Sequence, residues 1–231
     1  MIPWSLIDTA QVPDTSDALR LMRRGAEFSI RLGHNELMNS RLGGSEAALA
    51  TTACERIRAR ERPRLLIGGL GMGFTLRAAL AALGPGSEIV VAELVPAVVA
   101  WARGPMAAVF GQSLADPRVR IHEADVVDLI RRSPSAFNAI LLDVDNGPAG
   151  LTRKDNDRLY SVAGLGAAHA ALKPGGVLAV WSSRPAPGFA QRLRKAGFLV
   201  DEVVVRANGA RGGARHVIWI AAKPEQRKRT G

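Results

Sequence analysis

From Arg64 onward the sequence alternates short apolar runs with amphipathic stretches of helical period, and this alternation narrows the fold more than any other feature. The apolar runs are too short for buried helices and too continuous for strands with one face in water. They read as strands of a parallel sheet covered by helices on both faces. Strands are expected at 65–67, 89–92, 119–122, 139–142 and 177–181, and helices at 75–83, 95–109, 126–132, 159–172 and 189–196. Two more β-rich runs, 200–205 and 216–221, are joined by the glycine-rich link 208–213. That link is too short for a crossover helix, so the pair closes the sheet as an antiparallel hairpin. The expected class is α/β, a Rossmann-like seven-stranded sheet whose last strand is antiparallel.

Ahead of this unit, residues 18–22, 27–32 and 36–40 read as three short strands, with Gly33-His34-Asn35 as a turn, and form a small β-ribbon. Ser45, followed by Glu46 and an alanine-rich run to Ala59, reads as a capped helix. The expected organisation is therefore 1–62 as ribbon plus helix, 63–224 as the sheet domain and 225–231 as a basic tail, with the joint at Arg62-Pro63. At 231 residues and 47% hydrophobic content the chain can bury a full core. No apolar run reaches the length of about 18 residues that a membrane span needs, and Met1-Ile2-Pro3-Trp4 lacks the basic start of a secretory signal. A soluble, cytoplasmic protein without a membrane partner is expected.

Cys54 is the single cysteine, which excludes an intrachain disulfide and a cysteine-rich zinc site and leaves a small buried apolar role. The net charge of +10 comes mostly from scattered arginine, denser only at 56–64 and in the tail. Aromatic residues do not interleave with these patches, so a solvated basic surface is expected rather than a nucleic-acid partner.

The chemistry-bearing residues follow the strands. Gly68-Gly69-Leu70-Gly71-Met72-Gly73 lies between the first strand and a helix, where missing Cβ atoms allow a sharp turn and close approach of a ligand. Glu93 ends the second strand, where an acid can accept both hydroxyl hydrogens of a ribose. Asp125 follows the third strand and can cap the next helix or accept from an adenine amino group. The fourth strand runs into Asp143-Val144-Asp145-Asn146, which puts two carboxylates and an amide at the carboxyl end of the sheet, where such sheets bind ligands. Asp143, Asp145 and Asn146 are the catalytic candidates, with Gly68, Gly69, Gly71, Gly73, Glu93, Asp125 and Asp143 as ligand-binding candidates. His34, His122, His169 and His216 show no metal-ligand spacing, and no metal is expected.

These residues resemble the spermidine synthase-like branch of the class I S-adenosylmethionine (SAM)-dependent methyltransferase superfamily over residues 27–222. The resemblance is carried by Leu66-Ile67-Gly68-Gly69, Val91-Ala92-Glu93-Leu94-Val95-Pro96, Asp116-Pro117-Arg118-Val119, Leu142-Asp143 and Leu172-Lys173-Pro174-Gly175-Gly176-Val177. It implies that Gly69, Gly71 and Glu93 hold the amino-acid end and ribose of a SAM-type molecule, Asp125 its adenine and Asp143 the reacting region. There are departures. Gly71 stands where the aminopropyltransferases carry an acid that helps bind decarboxylated SAM, and Asn146 stands at the position of the second acid of their Asp-Ser-x-Asp-Pro run.

A polycation site needs several carboxylates, and this loop region supplies fewer than the family norm. The expected function is therefore transfer of a methyl or other SAM-derived group from intact SAM to a small-molecule nucleophile. Aminopropyl transfer from decarboxylated SAM is the alternative. A SAM-cyclising or SAM-cleaving enzyme, a nucleic-acid-binding module and an NAD-dependent dehydrogenase stand further off, and a homodimer through an unpaired ribbon edge is a hypothesis.

Overall fold

The computed structural model describes residues 2–13, 15–144, 147–148 and 156–225, leaving aside the side chains of residues 156, 157 and 211. Its central strands are buried on both faces because the residues inside them are mostly apolar, with polar side chains chiefly at their ends. β5 (Arg64–Gly68), β6 (Glu88–Glu93) and β8 (Phe137–Leu142) are almost wholly covered, as the apolar runs require. With β7 (Val119–Glu123), β9 (Leu172–Ser182), β10 (Leu199–Arg206) and β11 (Arg215–Ala222) they form a seven-stranded sheet in the order β10-β11-β9-β8-β5-β6-β7. The pairs β5–β6, β6–β7, β5–β8 and β8–β9 are parallel. β11 is antiparallel to both β9 and β10, which is the closing hairpin expected from the short link.

The chain winds outward from β5 through β6 to β7, then returns to place β8 on the other side of β5. This reversal opens a crevice at the carboxyl ends of β5 and β8. Gly68 pairs with Leu142 across it, so the glycine loop and Asp143 leave the sheet side by side.

The N-terminal part is a four-stranded antiparallel sheet in the order β1-β2-β3-β4, larger than the three-stranded ribbon expected. β2 (Ala18–Arg24), β3 (Glu27–Leu32) and β4 (Asn35–Asn39) match the expected strands. β1 (Ser5–Gln11) was not foreseen, because nearly all of it is exposed and it shows no buried alternation. The helix α1 (Gly44–Ile57) packs on the main sheet through Leu49, Ala50, Ala53, Cys54 and Ile57. Burial pushes the Cys54 thiol up to about 12, which leaves it an inert apolar filler. Ser45 does not cap α1: the cap position is Gly43, and the Ser45 hydroxyl is turned inward to the Glu46 carboxylate at 2.6 Å.

The remaining helices are α2 (Phe74–Ala82), α3 (Pro96–Arg103), α4 (Ala107–Phe110), α5 (Val126–Arg131), α6 (Asn156–Tyr160), α7 (Val162–Ala171) and α8 (Phe189–Lys195). The single helix expected over 95–109 is two, because Gly104 leaves helical geometry and Pro105 has no N–H to continue the ladder. The one expected over 159–172 divides at Ser161, whose hydroxyl accepts from the Gly164 N–H and starts α7 afresh. The Asp116-Pro117-Arg118 turn is structural. Arg118 pairs with Asp116 at 2.9 Å and donates to the Leu83 carbonyl at 2.7 Å, tying the entry of β7 to the end of α2. Among the described residues no helix is long and apolar enough to cross a membrane.

Candidate active site

A cavity of about 140 Å³ fills the crevice at the carboxyl ends of β5, β6 and β8. Its floor is Gly69, Gly71, Ala92, Glu93, Ala124, Asp125 and Asp143, and its opposite wall is Val12, Asp17, Leu19, Leu32, Leu37 and Met38 from the N-terminal sheet. The small sheet thus closes the open side of the crevice. One anchor for it is the Trp101 indole on α3, which donates to Asp8 on β1 at 2.7 Å.

The glycine loop owes its composition to contacts within the protein as well as to its place beside the cavity. Gly69 has φ +91°, and a Cβ there would lie 2.5 Å from the Asp143 carbonyl oxygen. Gly73, at φ +72°, would drive a Cβ into the Phe110 ring, and Gly68 lies against Val126. Of the four candidate glycines, Gly69 and Gly71 line the main cavity. Gly73 lines a smaller recess beside it, and Gly68 lines neither.

Glu93 is buried at the end of β6, with one carboxylate oxygen accepting from the Leu70 N–H and the other from the Val95 N–H, each at 2.9 Å. It therefore clamps the glycine loop to the start of α3. Each oxygen keeps further acceptor capacity, and the side chain lines the cavity. Burial raises its pKa above the usual carboxylate value, against the lowering effect of these backbone N–H groups. Asp125 caps α5, accepting from the Val127 N–H at 2.8 Å, which is the capping role read from the sequence, and it also lines the cavity.

Asp143 stands at the crossing of the main cavity and the recess. Thr75 at the start of α2 donates to its Oδ2 at 2.6 Å. Burial, reinforced by the neighbouring Glu46 carboxylate and only partly offset by Thr75, raises the Asp143 pKa to about 7. Its surface is partly open because it faces the cavities, yet the protein packed around it removes most of the water that would hydrate its charge. Glu46, on α1, is raised as well, first by burial. Asp145 and Asn146, the other two catalytic candidates, lie outside the described residues.

Sequence reasoning missed Asp17, Glu46 and Trp181, which reach this site from segments far from the loop in sequence, and Thr75, which lies two residues beyond it in the first turn of α2. Across the two cavities the described lining includes Asp17, Glu46, Glu93, Asp125 and Asp143 and no lysine, arginine or histidine. In a chain of net charge +10 this is a local reversal of sign.

The fold this geometry defines is the Rossmann-like SAM-dependent methyltransferase fold, in its spermidine synthase-like form with an N-terminal antiparallel sheet. Spermidine synthase from Thermotoga maritima superposes with a TM-score of 0.73 at 17% identity, covering 96% of this chain and 73% of that one. A spermidine synthase in complex with the transition-state analogue AdoDATO gives 0.72 with the same identity and coverage. A probable spermidine synthase from Corynebacterium glutamicum gives 0.60 at 15% identity, over 98% of this chain and 82% of that one. In sequence, the polyamine aminopropyltransferases of Mycobacterium tuberculosis and Mycobacterium bovis are 34% identical over 128 residues, 54% of this chain. The chain spans 23% of the length of these curated relatives. No family model matches.

The resemblance read from the sequence is supported by these comparisons, but the expectation of methyl transfer is corrected by them, since these proteins are spermidine synthases and polyamine aminopropyltransferases. The physical source of the error is the carboxylate count. It was made along the loop, where Gly71 replaces an acid, whereas α1 and the N-terminal sheet bring Glu46 and Asp17 to the cavities through space.

Proposed function

We propose that the chain is an aminopropyltransferase, taking decarboxylated SAM as donor and a small amine as acceptor. The observation that carries this is that every charged side chain of the described lining is a carboxylate. The donor is a sulfonium with a free ammonium and no carboxylate, and the acceptor is a second cation, so both need carboxylate partners in a largely dehydrated site. Intact SAM would add a carboxylate with no cationic side chain among the described lining residues to meet it.

In this reading residues 63–224 hold the donor and residues 1–62 close over it. Gly69, Gly71, Glu93 and Asp125 bind the nucleoside half: the Glu93 acceptor capacity left by the backbone is available to a ribose, and that of Asp125 to an adenine amino group. The main cavity is deep, mostly apolar and closed by the N-terminal sheet, and so shields the reacting atoms from water. The amine nitrogen attacks the aminopropyl carbon next to sulfur. The new C–N bond forms as the C–S bond breaks, and its electron pair returns to sulfur, releasing methylthioadenosine. The proton lost from nitrogen goes to a carboxylate. Asp143, with a pKa near 7 and a place between both cavities, is suited to take it, because a base titrating near the working pH combines availability with driving force. Asp145 and Asn146 are proposed as supporting residues. Self-association through the edge strand β1, which exposes Leu6 and Ile7, is the proposed assembly.

The test is turnover. Incubation with decarboxylated SAM and a primary amine is expected to release methylthioadenosine with matching aminopropylated amine. Nucleoside release without amine product, or product formed only from intact SAM, would refute the reading.

A further inference from the structure

Ser45 and His216 line neither cavity, and the reaction proposed above makes no use of them. They are 171 residues apart in the chain and meet where the start of α1 packs on the closing hairpin. That junction is rigid. The Gly44 N–H donates to the Ala207 carbonyl at 3.0 Å, and a Cβ on Gly44 would run into the Gly209 backbone, so glycine is needed for the approach. The His216 ring stands edge-on to Trp181 of β9, with centroids 4.9 Å apart.

The hydrogens of this cluster can be placed by counting donors. Fully buried Ser45 has its Oγ 2.6 Å from Glu46 Oε2 and 2.9 Å from His216 Nδ1. A serine has one hydrogen to give and a carboxylate has none. The serine hydrogen therefore goes to Glu46, and the hydrogen between serine and imidazole belongs to His216. Burial lowers the His216 pKa, which keeps the ring neutral with its hydrogen on Nδ1. Burial raises the Glu46 pKa and the Ser45 hydrogen bond opposes that rise, so the serine holds on Glu46 a charge that burial alone would remove.

Glu46 and Asp143 are the only titratable side chains of the described recess wall. Asp17, Glu93 and Asp125 line the main cavity, and Arg77 of α2, stacked on Phe74 and bonded to the Met72 carbonyl, lines neither. The Thr75 hydroxyl lies 2.6 Å from Asp143 Oδ2 and 3.4 Å from the Glu46 backbone oxygen, which ties the start of α1 to the end of β8. A charge fixed on one of two carboxylates in a dehydrated recess makes the other hold a proton more tightly.

We propose that Ser45 and His216 are positioning residues, which keep the Glu46 carboxylate charged and in place and thereby make Asp143 a stronger proton acceptor. The assignment rests on the aminopropyl-transfer reading only for the step that Asp143 serves. His216 orients the serine hydroxyl, and the hydroxyl stabilises the charge on Glu46. Burial first, and then that charge, raise the Asp143 pKa to about 7.

The experiment follows the Asp143 carboxyl carbon of the ligand-free protein by NMR as pH is raised, its signal assigned by loss in Asp143→Asn. The acidic limb of kcat against pH is measured in parallel. Glu46→Gln gives the reference: it should lower the Asp143 midpoint by about one pH unit, to a value still above the ordinary 3.8 because burial remains. Ser45→Ala should reproduce about half of that fall or more. His216→Phe keeps a ring against Trp181 but has no hydrogen to give, and should lower the midpoint too. His216→Asn loses the ring, offers an amide N–H to Ser45, and should stay close to the wild type. A merely structural role for the ring predicts the reverse order of these two variants. Methylthioadenosine affinity should stay within about twofold for the Ser45 and His216 variants, since neither residue lines a cavity. An unmoved midpoint in Ser45→Ala, or a larger shift in His216→Asn than in His216→Phe, overturns the assignment. Should Ser45→Ala not fold, the two His216 variants decide. Midpoints that move as expected in a protein that forms no aminopropylated amine count against the aminopropyl-transfer reading and leave the positioning of Glu46 supported.

Discussion

Replacing Asp143 by asparagine should make the ligand-free protein more stable at neutral and alkaline pH, and by an amount that depends on pH in a defined way. The carboxyl titrates at about 7 in the folded protein against an ordinary 3.8. The fold therefore favours its protonated form, by about three pH units or ~4 kcal/mol at about 1.4 kcal/mol per unit. Its contribution to stability is fully present below pH 3.8, declines as pH rises through the window from 3.8 to about 7, and stays lost above it. Asparagine has the same shape, carries no charge, and can still accept the Thr75 hydrogen bond. Denaturant unfolding of both proteins across pH 4 to 8 reads the difference directly. Asp143→Asn should match the wild type near pH 4 and exceed it by up to ~4 kcal/mol at pH 8, while losing nearly all turnover. Carboxylates remote from the site, including Asp116, held down at about 2 by Arg118, titrate alike in both proteins and cancel in the comparison, whereas Glu46, whose charge acts on Asp143, belongs to the difference being measured. A constant difference at all pH values, or a variant less stable at pH 8, would refute the reasoning.

Thr75→Val removes the one hydrogen bond that lowers the Asp143 pKa, so the acidic limb of the pH–rate profile should move upward, read by kcat against pH. Glu93→Gln sets an amide NH₂ against one of two backbone N–H groups, at a cost of about 1–3 kcal/mol, and methylthioadenosine affinity should fall along with stability in calorimetry and unfolding. Gly69→Ala puts a methyl group 2.5 Å from the Asp143 carbonyl at φ +91°, so it should lower both the melting temperature and turnover.

The sheet was legible because its central strands are covered on both faces and so read as nearly unbroken apolar runs. The closing hairpin was legible because its link is too short for a helix. Strand β1 was not, since exposure on nearly all its positions erases the period that marks a strand. The Gly104-Pro105 break was present in the sequence as a helix-stop signal and was overridden by the apolar pattern on either side.

At the site, the glycine loop, Glu93, Asp125 and Asp143 could be found because each follows a strand end by a fixed local rule. Glu46 and Asp17 could not, because no local spacing ties them to Asp143 and only the packing of α1 and the N-terminal sheet brings them to the cavities. Ser45 looked like a helix cap for the same reason. Its inward partner His216 is 171 residues away. Charge was misleading in the same sense: the excess of arginine describes the whole chain, while the cavities are lined by five carboxylates that the sequence scatters.

The central claim is that the crevice selects a cationic nucleoside without a carboxylate, and side-by-side calorimetric titration with decarboxylated SAM, intact SAM, methylthioadenosine and NAD tests it most directly. The account predicts binding of decarboxylated SAM and methylthioadenosine, weaker binding of intact SAM and none of NAD. Tighter binding of intact SAM than of its decarboxylated form would contradict it.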